Sequence, residues 1–194
     1  MQAASKENTN MSETNPSLEE LGISAGGVDA STRASAMWMV AKGQKSGEIK
    51  GGASSKGNEG KIEIAGLNSE VMSPRDPQSG LPTGRRLHKP LYVAYKLDKS
   101  VPLMWGVLCT NENLSSVTID VWQSAHKGSQ SHSAGQGLQK TYEIKLTNAN
   151  MAMMEQQTIE NGQVFVIIGF TYQKIEWTWI DGGLTANDDW EARV

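Results

Sequence analysis

The sequence of 194 residues contains a single cysteine, Cys109, and therefore cannot form an intrachain disulfide. No apolar run approaches the length of about 18 residues that a membrane-spanning helix needs. The N-terminus also lacks the basic stretch and following apolar stretch of a signal peptide. We therefore expect cytoplasmic synthesis and assembly, secretion without a cleaved signal peptide, and no membrane insertion.

The main part of the chain also lacks an excess of either charge. The formal net charge is −3, from 18 basic and 21 acidic side chains. Residues 1–34 hold two of the basic and five of the acidic ones, which leaves sixteen of each sign from residue 35 onward. A neutral domain has no overall field to attract nucleic acid or an anionic membrane. Neither is expected as a partner.

Residues 1–35 have little apolar surface to bury and are rich in Ser, Asn, Glu, Ala and Gly. Leu18–Leu21 could form one helical turn, but the composition as a whole is typical of a disordered tail. We therefore predict a disordered N-terminal extension at residues 1–35. Residues 36–194 are predicted to form one domain, a length that suits a single hydrophobic core.

Within the predicted domain, apolar and polar residues alternate. The alternation is clearest in Leu91–Leu97, Val117–Val121 and Tyr142–Leu146. This period of two is typical of antiparallel strands with one solvated face. Turn-forming clusters separate the strands, including Gly51-Gly52 and the Ser/Gly/His-rich residues 127–137. The sequence therefore predicts an all-β fold with one short helix, an antiparallel barrel or sandwich with a long extended inter-strand loop.

Two apolar segments do not follow this alternation. Val101–Cys109 is predicted to be the short helix, because Ser100 could cap it and Pro102 lies in its first turn. Cys109 would then be an inert core thiol. Val164–Tyr172 is apolar on both faces, so both faces need cover. The helix could cover one extra face and a neighbouring subunit another; alternatively, all of this surface belongs to the internal core.

No segment makes a convincing catalytic, metal or cofactor site. Gly80–Arg86 resembles a phosphate-binding loop only superficially, because three residues separate its glycines and Pro82 removes an amide. The acidic residues around Gly182-Gly183 do not follow a calcium-loop pattern. His88, His126 and His132 with Cys109 could in principle make a metal site, but no pair of them has a close ligand spacing. We therefore expect no cofactor, no metal and no enzymatic activity.

The most informative segment is Ser73–Pro90, which reads S-P-R-D-P-Q-S-G-L-P-T-G-R-R-L-H-K-P. Its four prolines and two glycines exclude a helix and a central strand, because proline fixes φ and donates no hydrogen bond. The segment carries the titratable side chains Arg75, Asp76, Arg85, Arg86, His88 and Lys89. Such a stiff, charged loop favours contact with another protein over contact with nucleic acid, since it has no interleaved aromatic residues and no basic domain around it.

This loop resembles the loop signature of the haemolysin-coregulated protein (Hcp) family, the tube subunits of bacterial type VI secretion systems. The similarity runs in order from Ala36 to Trp190, whereas residues 1–35 have no recognisable counterpart. The other segments that carry it are Gly43–Gly51, Gly60–Ile64, Leu97–Leu103, Lys174–Trp179 and Gly182–Trp190.

The resemblance implies a β-barrel subunit that forms a homohexameric ring, with the rings stacked into a hollow tube. A contractile sheath would propel this tube out of the cell, with a spike protein at its tip and small effector proteins in its lumen. The extended loop of the family reaches the next ring and corresponds here to Val71–Leu87. The implied ring-stacking residues are Ser73, Pro74, Arg75, Asp76, Pro77, Leu81, Pro82, Arg85 and Arg86.

A ring needs a heterologous contact that closes, and a tube needs a second contact that does not. A stiff loop suits the second contact, because it loses little conformational entropy on docking. Two other functions stay open, an Hcp-derived secreted effector with a fused enzyme and a stand-alone ligand-binding β-sandwich. Fused toxins usually add a domain beyond the C-terminus, and this chain ends four residues after Trp190. Self-assembly into rings would distinguish a tube subunit from a monomeric sandwich.

Overall fold

The computed structural model describes residues 15–24, 35–124 and 138–190. Within these ranges the chain forms short and long β-strands and a helix. In chain order the elements are β1 (Ser35–Gly43), β2 (Gly47–Ile49), β3 (Ile62–Asn68), β4 (Val71–Met72), β5 (Leu87–His88), β6 (Leu91–Lys96), α1 (Val101–Cys109), β7 (Leu114–Ser124), β8 (Leu138–Thr158), β9 (Val164–Trp179) and β10 (Leu184–Asp189).

Six antiparallel strands close into a barrel in the order β9–β6–β3–β1–β7–β8, and β8 pairs back onto β9. The closing pair runs from Tyr142 opposite Trp179 to Thr158 opposite Val164. On its other edge, β9 pairs first with β6 and then with β10. Closure pairs the edges that an open sheet would expose. The predicted antiparallel β-barrel with one short helix is confirmed.

Alternate residues of the strands fill the barrel interior, as the sequence pattern predicts. The side chains of Met39, Ile64, Val93, Ile119 and Leu146 are fully buried there. One apolar core therefore links strands that are far apart in the sequence.

α1 has the predicted bounds and packs one face into this core. Its buried residues are Val101, Met104 and Val107. Ser100 occupies the predicted N-cap position, but its side chain makes no capping hydrogen bond. Instead, the Ser100 amide donates to Asp98 Oδ1 at 2.7 Å. The start of the helix is therefore fixed by the loop before it.

Cys109, the last residue of α1, is exposed, so the prediction of a core thiol was wrong. The buried residues of the helix recur every three positions, which places residue 109 on the opposite face at 100° per residue. Across the described residues, no helix is long and apolar enough to cross a membrane.

β9 is buried on both faces, as its sequence predicts. Its inner face adds Val166, Ile168 and Phe170 to the barrel core. Its outer face holds Phe165 and Ile167, both with no exposed surface, in a second apolar cluster. In this chain the cover comes from its own N-terminal segment, with the side chains of Leu18, Leu21 and Ile23, whereas α1 packs into the barrel core.

The covering segment is a single helical turn that begins with a capping box. The Ser17 amide donates to Glu20 Oε2 at 2.8 Å, and the Glu20 amide donates to Ser17 Oγ at 3.3 Å. This reciprocal pair satisfies two amides that a helix start leaves without a helical partner.

The turn ends at Gly22, whose φ of 80° favours glycine. The Gly22 amide donates to the Glu19 carbonyl at 2.9 Å, and the Ile23 amide donates to the Leu18 carbonyl at 2.8 Å. These two bonds form a Schellman motif, which brings the apolar side chains before and after the glycine to the same side.

The turn lies so close to β3 that only glycine fits beneath it. A Cβ atom at Gly66 would overlap the carbonyl oxygen of Leu21. Gly66 also lies at an irregularity in the pairing of β3 with β6, between Ile64 and Gly66. The surface of the barrel is thus shaped to receive this backbone.

The prediction that this part of the tail has nothing to bury is therefore wrong. Leu18 and Leu21 at helical spacing, with Ile23 after the glycine, are enough to dock a turn whose ends are capped locally, even within a polar stretch. Residues 1–14 and 25–34 of the predicted disordered extension lie outside the described residues, as do residues 125–137, which hold the predicted Ser/Gly/His-rich turn.

We predict that Leu21→Ala lowers the free energy of unfolding by about 2 kcal/mol, because it removes a buried aliphatic side chain. Urea unfolding followed by circular dichroism would measure the change. The matched control is Glu19→Ala, an exposed position in the same turn, with an expected change within about 0.5 kcal/mol. Equal urea concentrations at the midpoint of unfolding for the two variants would contradict the docking of the turn.

Candidate functional site: the projecting loop and its anchor

The predicted extended loop leaves the barrel between two very short strands. β4 and β5 form an antiparallel ladder of two pairs, Val71 with His88 and Met72 with Leu87. The chain between them, residues 73–86, is exposed throughout except at two half-buried positions, 76 and 86. The loop therefore contributes little to the core of its own subunit.

The tip of the loop is braced by its own backbone. The Asp76 amide donates to the Leu81 carbonyl at 2.9 Å, and the Thr83 amide donates to the Pro74 carbonyl at 3.0 Å. These backbone hydrogen bonds fold the tip back on itself as a narrow hairpin. Its stiffness comes from these bonds as well as from the prolines.

Both charges at the tip take part in this bracing. Asp76 Oδ1 accepts hydrogen bonds from the Ser79 amide (2.7 Å), the Ser79 hydroxyl (2.9 Å) and the Gln78 amide (2.9 Å). These three bonds hold the pKa of Asp76 below its ordinary value of 3.8. Arg75 Nη1 donates to the Gly80 carbonyl at 3.1 Å. The two side chains are therefore structural parts of the tip.

The base of the loop is anchored to β9 and β10. Arg86 donates through Nε to Asp188 Oδ2 and through Nη2 to the Asp189 carbonyl, the latter at 2.8 Å. His88 Nε2 lies 2.6 Å from the same Asp188 oxygen, and His88 Nδ1 lies 3.0 Å from the Tyr172 hydroxyl. One carboxylate thus joins two loop-base residues to the far end of the chain.

The Asp188 carboxylate accepts from the Arg86 guanidinium and lies within hydrogen-bond distance of the His88 ring. Partial burial raises the pKa of Asp188, but the hydrogen bonds from Arg86 and His88 outweigh it and hold this pKa below 3.8. Burial, with a smaller effect of the Asp188 charge, raises the pKa of Tyr172 to about 12. Near neutral pH, Asp188 is therefore ionised and Tyr172 is a neutral hydroxyl.

A small apolar pocket of about 260 Å³ lies beside the anchor, against His88, Tyr172 and Trp190. It is smaller than the roughly 300–1,000 Å³ of typical small-molecule sites. In the described ranges, no three His, Cys, Asp or Glu side chains form a group that could hold a metal ion. His126 and His132, considered above as ligands, lie outside those ranges.

Comparison with known proteins identifies the family. A family model described as "Type VI secretion system effector, Hcp" matches residues 39–179. The major exported protein of Pseudomonas aeruginosa strain PAO1 is 31% identical over 176 residues, which cover 81% of this chain and 96% of that protein. The chain belongs to the Hcp family. The resemblance seen in the sequence is confirmed.

Solved Hcp structures share the fold. A crystal structure described as Hcp protein has a TM-score of 0.71 and 26% identity, covering 80% of this chain and 99% of that one. Secreted protein Hcp3 from Pseudomonas aeruginosa has a TM-score of 0.64 and 26% identity, covering 82% and 100%. About a fifth of this chain is therefore additional to these Hcp chains. The N-terminal turn and Asp188 both lie outside the segment that the family model matches.

The structure separates the predicted ring-stacking residues into three groups. Arg75 and Asp76 brace the tip, and Arg86 belongs to the anchor. The remaining side chains are exposed on the loop, and they are Ser73, Pro74, Pro77, Leu81, Pro82 and Arg85.

Sequence reasoning missed the anchor partners Tyr172, Asp188 and Asp189. The acidic pair after the Gly182-Gly183 turn was visible in the sequence. However, its pairing with Arg86, about a hundred residues away, has no local signature.

We predict that Asp188→Ala loosens the loop while the barrel stays folded. Charge-assisted hydrogen bonds to a partly buried carboxylate contribute about 1.5–3 kcal/mol, so amide exchange in residues 73–86 should rise by about tenfold or more. Hydrogen exchange with mass spectrometry measures this, with Asp181→Ala in the exposed β9–β10 turn as the control. Unchanged exchange in the loop would show that Asp188 does not anchor it.

The anchor should also respond to acid. Because the pKa of Asp188 is lower in the folded state, its contribution is present above the unfolded value and lost as pH falls through the folded value. Loop exchange, corrected for intrinsic rates, should therefore be slow at pH 5 and should rise below pH 3.8. The difference between the parent chain and Asp188→Ala should shrink over the same range. A constant difference would mean that another group carries the acid response.

Proposed function

We propose that this Hcp chain is a structural subunit of the type VI secretion inner tube. In this proposal it forms homohexameric rings, and the rings stack through the loop at residues 73–86. The single observation that carries the proposal is the structure of the loop. Hydrogen bonds within the tip stiffen it, Arg86 anchors its base to β10, and most of its side chains are exposed to solvent. A rigid arm that adds little to its own core is suited to a contact with another copy.

The exposed apolar side chains support this proposal. The loop and its two flanking strands present aliphatic side chains that are between 41% and 64% exposed, namely Val71, Met72, Leu81 and Leu87. Apolar surface grouped on one projection favours contact with another protein. Burial of such side chains against a neighbouring ring would stabilise the stack.

The wider assignment also belongs to this proposal. Residues 36–194 act as one barrel domain. The tube works with contractile sheath subunits, a spike protein at its tip and small effector proteins in its lumen. It assembles in the cytoplasm and leaves the cell without a cleaved signal peptide. The chain acts by assembly and not as an enzyme, and it binds neither a cofactor nor nucleic acid.

Native mass spectrometry at micromolar concentration tests the ring, and we expect a closed homo-oligomer of six subunits. A strictly monomeric chain would contradict the ring and with it the tube. This measurement needs no other component of the secretion machine.

Replacement of residues 74–84 by a short Gly/Ser linker should leave the ring intact, because Arg86 and the anchor are kept. The same change should abolish stacking, because it removes the exposed part of the loop. Electron microscopy would show rings in place of tubes, and export should fail with stacking. The matched control replaces residues 54–57, another exposed turn, and should leave tubes unchanged. Normal tubes from the loop variant would place the stacking surface elsewhere.

Arg85 gives the cleanest test of charge. It is exposed and, within the described part of the chain, forms no ion pair, whereas Arg75 and Asp76 brace the tip. Arg85→Glu should weaken stacking in a salt-dependent way, since an exposed pair contributes about 0–1 kcal/mol and recurs in each subunit. Light scattering against salt concentration would measure this. Identical salt dependence in parent and variant would exclude Arg85 from the contact.

A further inference from the structure

The groove on the outer face of the barrel has a shape and chemistry that fit its occupant. Its floor is formed by Phe165 and Ile167 of β9 and Ala94 of β6, all fully buried beneath the N-terminal turn. Gly66 of β3 allows the Leu21 backbone to approach the sheet directly. The groove therefore binds a short apolar turn through side-chain packing and through close approach of the two backbones.

The occupant is a self-contained structural unit. The backbone hydrogen bonds described for residues 17–23 run within the segment, and Glu20 caps the start of the turn with its own side chain. The contacts described between segment and barrel are the packing of Leu18, Leu21 and Ile23. Because the described hydrogen bonds of the segment are internal, it can leave one groove and enter another without breaking them.

The covalent tether also permits exchange. Ten residues, 25–34, join Ser24 to Ser35 at the start of β1. Eleven intervals of extended chain span at most roughly 35–40 Å. A domain of about 150 residues has a radius of gyration of about 15 Å, so this reach is close to the width of one subunit. A groove of an adjacent copy can therefore be reached where it lies within this distance of Ser35.

We propose that residues 17–23 are an exchangeable docking motif, which fills the outer groove of its own barrel in an isolated subunit and the same groove of a second copy in an assembly. The motif is a capped apolar turn of the pattern Leu-x-x-Leu-Gly-Ile. Exchange of an identical element is a low-cost route to linked copies, because each contact made in one chain is remade in the other. The proposal concerns copies of this chain only and does not depend on the formation of a tube.

A full-length variant with Leu18→Asp and Leu21→Asp opens the groove, because charged side chains cannot be buried there without a partner. A synthetic peptide of residues 15–24 should raise the melting temperature of this variant by several degrees in a saturable way. The same peptide carrying the two Asp substitutions should have no effect. The parent chain, whose groove is filled by its own segment, should respond only weakly. Equal responses to both peptides, or none from the folded variant, would overturn the proposal.

If the double variant does not fold, Leu21→Ala provides a milder opening for the same peptide titration. The milder variant should show the same difference between the two peptides at higher peptide concentration. Absence of that difference would contradict the proposal in the same way.

Exchange between copies is tested by mixing two complementary full-length chains. Gly66→Val closes the groove and leaves the segment intact, whereas the double Asp variant keeps the groove and disables the segment. The mixture should raise the melting temperature of the open-groove chain above that of the same chain alone. A Gly66→Val chain that also carries both Asp substitutions is the control and should not raise it, because it can join the same assembly but brings no intact segment. A mixture that behaves like the control would restrict the motif to its own subunit and overturn exchange.

Discussion

The architecture depends on one constraint, which is that β9 is buried on both faces. Its inner face completes the barrel core, and its outer face would be a strip of bare Phe165 and Ile167 without the N-terminal turn. Its two edges are also paired, with β8 on one side and with β6 and β10 on the other. Tyr172 on the same strand receives the base of the loop. The core, the docked turn and the loop anchor are thus held by a single strand.

The features that sequence reasoning found are those encoded locally. Alternation of apolar and polar residues at Leu91–Leu97 indicates a strand with one buried face. This pattern can be recognised without knowing which strands pair with it. The helix Val101–Cys109 is marked by its apolar spacing and by Pro102 in the first turn. The loop is marked by prolines and glycines, which exclude the alternatives. Assignment of the family came from the order of such segments along the chain.

The features that sequence reasoning missed depend on partners far away in the chain or on a few residues in a misleading context. Ser17, Glu20 and Gly22 are the signals of a capped turn, but they stand in a polar stretch whose average predicts disorder. The anchor required Arg86 and Asp188 to meet across about a hundred residues, which only the paired β9 and β10 make possible. Composition averages over a segment, whereas docking is decided by three side chains.

Three charged side chains of the loop are hydrogen-bonded within their own subunit, and this limits which side chains can hold two rings together in the proposed tube. Arg75 and Asp76 hydrogen-bond within the tip and Arg86 hydrogen-bonds to the anchor, whereas the aliphatic side chain of Leu81 is 64% exposed. Full burial of one aliphatic side chain contributes about 1.5–3 kcal/mol, against about 0–1 kcal/mol for an exposed ion pair. The apolar side chains should therefore set the strength of stacking. The charged side chains that are bonded within the subunit fix the shape of the loop. The loop therefore loses less conformational entropy when it docks onto the next ring.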